Sequence, residues 1–234
     1  MDKYLEETRL LNFRHKSIQQ LIREKEWQQL NQYNQIEAIY NFVRDDILFG
    51  YNRDDMLRAS EILKDGYGQC NTKGILLMTL FRSVDIPCRI HGFTIDKKLQ
   101  KGAITGWMYQ VAPKKVLHSW VEVYFDENWY FLEGFIIDQR YLKQLQNKFT
   151  ETKRDFCGYG IATKNFENPP IMWQKNHTFI QKEGINQDFG VFDSPDTFFS
   201  SYKQQLSPVK KFFYQTIGRK KMNRNVEDIR KGKY

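Results

Sequence analysis

Long apolar runs are missing from this chain of 234 residues. The most hydrophobic stretch, Ile75 to Phe81, is far shorter than the roughly 20 residues that a membrane-spanning helix needs. Cysteine is scarce. Cys70, Cys88 and Cys157 are the three present, too few and too scattered for a disulfide framework. They lack metal-ligand spacing, and His15, His91 and His177 are dispersed, so neither a metal nor another cofactor is expected. Gly66 and Gly68 are not followed by Gly-Lys-Ser/Thr, which excludes a P-loop. Met1-Asp-Lys-Tyr-Leu-Glu-Glu lacks a basic segment followed by an apolar one, so no secretory signal is visible and a cytoplasmic protein with reduced thiols is expected. No motif repeats at a fixed period. Aromatic residues, by contrast, are plentiful, with 18 Phe, 13 Tyr and 5 Trp, an inventory that excludes disorder over the whole length.

Charge is unevenly placed. The formal net charge is +8, and the segment from Lys203 to Tyr234 alone carries ten basic and two acidic residues. The preceding body is therefore neutral, and the basic excess is a property of the C-terminal tail.

Helix-like spacing of Ile36, Ile39, Tyr40, Val43 and Ile47 extends a helical region that starts near Tyr4, with a polar interruption at Gln28–Gln35. A short helix at Ala59–Leu63 ends at Asp65-Gly66, and another runs from Cys70 to Ser83. Strands are expected from Pro87, at Leu117–Phe125 and at Trp129–Phe135, the last two joined by a tight turn. Lys97–Lys115 reads as an irregular insertion and Cys157–Gly190 as loop. Helices are expected at Gln139–Lys148, Ser194–Leu206, Pro208–Ile217 and Asn223–Arg230. Helices, then strands, then helices again argue for an α+β fold. The expected organisation is an N-terminal helical extension (1–34), a core (35–140), a loop-rich extension (141–202) and a basic helical tail (203–234).

Three positions could carry chemistry. Gly66-Tyr-Gly-Gln-Cys70 puts a thiol where a glycine-rich turn enters a helix, whose first amides are unpaired donors that favour a thiolate and could bind an oxyanion. His118 lies in a strand whose alternation places Leu117, Val121 and Val123 on one face and His118, Trp120 and Glu122 on the other. Glu133 stands in the next strand. A two-residue turn would pair Phe125 with Asn128, making Glu133 the diagonal neighbour of His118, within reach of its side chain.

Taken together, Gly-Gln-Cys70 at a helix start, Cys-x3-Gly before an apolar helix, Ile86-Pro-Cys-Arg89, His118-Ser-Trp-Val-Glu-Val and an acid 15 residues after the histidine resemble the transglutaminase-like superfamily. The resemblance covers about Gln35 to Gln139. It implies a papain-like core, with the cysteine helix packed on an antiparallel sheet, and a triad of Cys70, His118 and Glu133. Gln69 and Trp120 become candidates for the oxyanion site and the cleft. Two departures matter. The family usually has Asp where Glu133 stands, and its large animal members have Trp after the cysteine, where this chain has Asn71. Cross-linking of proteins therefore does not follow, and hydrolysis of peptide or protein amides is favoured slightly over transamidation. The competing expectation is a catalytically idle core that binds partners.

In the tail, Val209, Phe212, Phe213 and Ile217 form an apolar stripe among Lys210, Lys211 and Arg219-Lys-Lys221. Such a stripe is expected to dock on its own domain with the charges in water. Contact with nucleic acid or an anionic membrane is the alternative.

Overall fold

The computed structural model describes residues 1–204 and 207–234. Its centre is helix α4 (Cys70–Arg82), every residue of which is buried. Even Lys73 is inside, where its ammonium donates to the carbonyls of Arg44 and Ile136 and burial pushes its pKa down to about 7. Helices α1 (Lys16–Lys25) and α2 (Gln32–Asp45) precede it, and α3 (Ala59–Asp65) leads directly into it. Ile36, Ile39, Tyr40 and Val43 of α2 and Ile62 of α3 join Ile75, Leu76 and Leu80 in one core. Asn31 caps α2 through the Asn34 amide, which converts part of the polar interruption into a helix start.

The other wall is a four-stranded antiparallel sheet in the order β5-β4-β3-β8, formed by β3 (Cys88–Asp96), β4 (Lys115–Phe125), β5 (Asn128–Leu132) and β8 (Ile185–Phe192). Short pairs accompany it: β1 (Leu48–Phe49) with β2 (Tyr67–Gly68), and β6 (Phe156–Gly158) with β7 (Ile161–Thr163). The β4–β5 turn has positive φ at both Asp126 and Glu127, the conformation of a two-residue hairpin loop. The register accordingly sets Phe125 opposite Asn128 and Val121 opposite Leu132.

Several sequence expectations are corrected. Residues before Lys16 contain a single short 3-10 turn, Asp2–Tyr4. Leu10 and Leu11 are buried there without a helix, because Thr8 and the Leu10 amide bond Asp196 instead. The insertion at 97–114 holds a 3-10 turn and helix α5 (Gly106–Val111). The loop-rich stretch yields β8, an edge strand whose residues are mostly exposed or half-buried. An edge strand is held by backbone bonds to one neighbour and needs no apolar alternation, so its sequence carries little strand signal.

Helix α6 (Gln139–Lys148) follows the sheet, and α7 (Pro195–Ser201) follows β8. The expected end of the α7 helix, Leu206, lies outside the described residues. The chain closes with α8 (Pro208–Phe213), a turn of π-helix (Tyr214–Gly218) and α9 (Arg219–Arg230). Met222, Val226 and Ile229 of α9 enter the core, and Arg230 bonds Asp138 and the Phe49 carbonyl. Val209, Phe212, Phe213 and Ile217, expected to dock on the domain, are exposed. The π-turn separates the two runs: the apolar residues before it face out, and those after it face in.

Candidate active site

Cys70 is the first residue of α4. Gly68 precedes it because a Cβ there would come within 2.6 Å of the Thr72 hydroxyl and 2.9 Å of the Lys73 side chain. The Thr72 hydroxyl accepts from the Gln69 amide and donates to Asn52 Oδ1. The Cys70 N–H, as the first amide of the helix, has no intrahelical acceptor. Its thiol is 7% exposed.

His118 lies fully buried on β4, with Nε2 2.8 Å from Glu133 Oε1. Its Nδ1 is buried and makes no hydrogen bond among the described residues. Burial lowers the basicity of the ring, but the charge and hydrogen bond of Cys70, joined by those of Glu133, raise its pKa to about 10. The structure thus bonds His118 to Glu133 and sets Cys70 near enough to act on the ring.

Glu133 is held from behind. β5 ends at Leu132, and the Glu133 amide leaves the sheet to donate to the Thr178 carbonyl. Its Oε2 accepts from the backbone amides of Ile180 and Gln181 at 2.9 and 2.8 Å. Two N–H donors fix the orientation of the carboxyl group. The segment 178–181 escaped the sequence reading because it contributes main-chain groups, which leave no mark in residue identity.

The two remaining candidates have other partners. The Gln69 side chain accepts from the Asn52 amide and donates to Asp55, so it braces the 52–55 loop against the helix start. Its backbone N–H is taken by Thr72, which leaves the Cys70 amide as the nearest free donor. Trp120 lies in an aromatic layer, 4.2 Å from Phe93 and 5.5 Å from Phe131 between ring centroids, and Phe93 is the member of that layer beside His118.

Asn71 turns inward, its amide donating to the Leu117 carbonyl and its oxygen accepting from Ser119. These bonds tie the Cys70 helix to the His118 strand. The position is 1% exposed. Tyr51, Asp55 and Tyr214 complete the surroundings. The Tyr51 phenol is pushed up by burial and by the nearby Tyr214 and Cys70, and burial pushes the Asp55 carboxyl up. The Tyr214 hydroxyl donates to the Asn52 carbonyl and Gln204 accepts from the Leu117 amide, so the C-terminal segment touches both sides of the site. Among the described residues no three of His, Cys, Asp or Glu converge as metal ligands.

A helix with an N-terminal cysteine packed on an antiparallel sheet that carries a histidine, with an acid just past the next strand, fits the core of the papain-like α+β folds. Residues 19–134 match the model of the transglutaminase-like superfamily. Three solved structures align with 56% of this chain. A protein from Cytophaga hutchinsonii provisionally termed a cysteine protease has 18% identity and a TM-score of 0.43, with 40% of its length covered. A protein from Parabacteroides distasonis provisionally termed a protease has 15% identity, a TM-score of 0.35 and 24% covered. Red sea bream transglutaminase has 15% identity, a TM-score of 0.31 and 25% covered. The chain therefore spans less than half the length of each. No curated protein matches it.

Proposed function

We propose that the protein is a thiol enzyme that attacks amide bonds of peptides or proteins, with Cys70 as nucleophile, His118 as proton carrier and Glu133 as the group that orients the imidazole. The supporting observation is a buried imidazole bonded to a carboxylate that two backbone amides fix, beside a thiol at a helix start.

The thiolate adds to the amide carbonyl, and the Cys70 N–H lies where the oxyanion forms. His118, protonated by the thiol, gives that proton to the leaving amine as the C–N bond breaks, which leaves a thioester on Cys70. The imidazole then takes a proton from water as it attacks, releasing the acid and returning the thiol. A primary amine in place of water would give transamidation. Hydrolysis is favoured because position 71, aromatic in the cross-linking animal enzymes, is a buried asparagine engaged with the sheet.

The deciding assay measures ammonia or new amino termini, together with amine incorporation, for the wild type and Cys70→Ala on a mixed peptide library. Activity in the wild type that disappears in the variant supports the proposal. Equal turnover by both proteins ends it, and a wild type inert on every peptide favours the idle binding core.

A further inference from the structure

Eleven large apolar residues among the described ones are exposed, and six of them sit on two neighbouring elements. Val209, Phe212, Phe213 and Ile217 are carried by α8 and the π-turn, where Val209 is 65% and Phe212 64% exposed. Trp107 and Val111 project from α5. The two elements meet where Gly218 lies against the Met108 sulfur, and Thr105 shares a groove with Ile217. Ordinary soluble surfaces scatter such residues singly, whereas a concentrated patch marks an interaction surface.

The charges around the patch are predominantly positive, with Asp228 the one acid lining the groove. Lys220, Lys221 and Arg224 line the groove beside Ile217, and Lys210 follows Val209. Lys211 pairs with Asp54, but Lys210, Lys220, Lys221 and Arg224 make no ion pair among the described residues. Cations beside exposed apolar residues match an acidic headgroup layer with acyl chains beneath it. A second copy of the chain fits less well, because a two-fold contact would set these cations against each other. Nucleic acid fits less well too, since stacking rewards aromatic rings and half of this patch is aliphatic or lies at the helix end.

We propose that α8, the π-turn and α5 form a docking face for an anionic lipid bilayer. The face is rooted beside the candidate active site: Tyr214 bonds the Asn52 carbonyl, and the Asn52 amide bonds Gln69. Docking would hold the start of α4 close to the membrane surface.

The test is co-sedimentation of the full chain with vesicles of phosphatidylcholine alone and of phosphatidylcholine mixed with phosphatidylglycerol. Binding is expected with the mixed vesicles and should weaken as salt rises. The double substitution Phe212→Asp/Phe213→Asp, and separately Lys220→Glu/Lys221→Glu, should each lower it about tenfold or more. These side chains are exposed, and unchanged circular dichroism and Tm will show that the variants fold. Trp107 supplies a second readout: a blue shift of emission with mixed vesicles that is lost in Trp107→Phe. A wild type that stays in the supernatant at low salt overturns the proposal. So does equal binding by the Phe212→Asp/Phe213→Asp protein, tighter binding to an RNA oligonucleotide than to the vesicles, or a concentration-dependent dimer that this variant abolishes.

Discussion

At the scale of single residues, exposure and reactivity should part company. Cys157 is the exposed thiol, yet burial of part of its surface pushes its pKa up. Cys88 is buried and pushed up further from reaction by desolvation. Cys70 is nearly covered but faces His118. Iodoacetamide labelling followed by peptide mass spectrometry at neutral pH should therefore modify Cys70 first, and His118→Ala should slow that site alone. Faster labelling of Cys157 would contradict the thiol–imidazole pairing. The pH dependence has a definite sign. Burial opposes the imidazolium, but Cys70 and Glu133 raise its pKa to about 10, above the ordinary value near 6.5. The proton needed by the leaving amine is thus retained until pH approaches that value, and the alkaline limb of kcat/KM should lie there. Because the folded value is the higher one, the pair's contribution to stability is complete below pH ~6.5 and disappears as pH rises through about 10. An alkaline limb near neutrality would show that Cys70 and Glu133 do not sustain the charge.

At the scale of elements, the sheet is clamped between helices that demand small residues at particular places. Gly92 on β3 is such a place: a Cβ would come within 2.1 Å of the Phe198 ring of α7. Phe198 is fully buried and stacks in a group with Phe192, Phe199 and Tyr202. Gly92→Ala should push α7 from the sheet and cost about 1–3 kcal/mol, read as a fall in the urea midpoint with an unchanged slope. An unaltered midpoint would mean that α7 shifts freely and does not hold β3. The strand lies next to β4, so the same variant also reports whether the histidine's position depends on that clamp.

At the scale of the molecule, the C-terminal segment is part of the fold and not an appendage of it. Arg230 is bound to Asp138, a buried carboxylate that also caps α6 through the Tyr141 amide and accepts from the Phe49 amide. Burial raises the Asp138 pKa, but the Arg230 guanidinium outweighs it and holds the carboxyl below its usual range. Arg230→Met should destabilise the chain by roughly 3–5 kcal/mol because Asp138 is left buried without its partner. The depressed carboxyl makes the stabilisation full above pH ~4 and lost as pH falls through the folded value. Acid unfolding of Arg230→Met should therefore be flatter than that of the wild type. If urea titration shows no loss, α9 contributes packing through Met222, Val226 and Ile229 alone.

The α+β class, the nucleophile helix, the hairpin register and the order Cys70, His118, Glu133 were legible in the sequence. They depend on local rules: apolar periodicity, a two-residue turn and strand alternation act within a few residues of one another. The strand β8, the buried role of Asn71, and the amides of Ile180 and Gln181 behind Glu133 were not. Each depends on main-chain groups or partners more than 40 positions away. The tail divides in the same way. Its charge and its apolar stripe are properties of the sequence, but only the tertiary structure left that stripe facing outward and turned Met222, Val226 and Ile229 beyond it into the core. Periodicity fixes which residues share a helix face. Which face finds a cavity to fill depends on the shape of everything already packed.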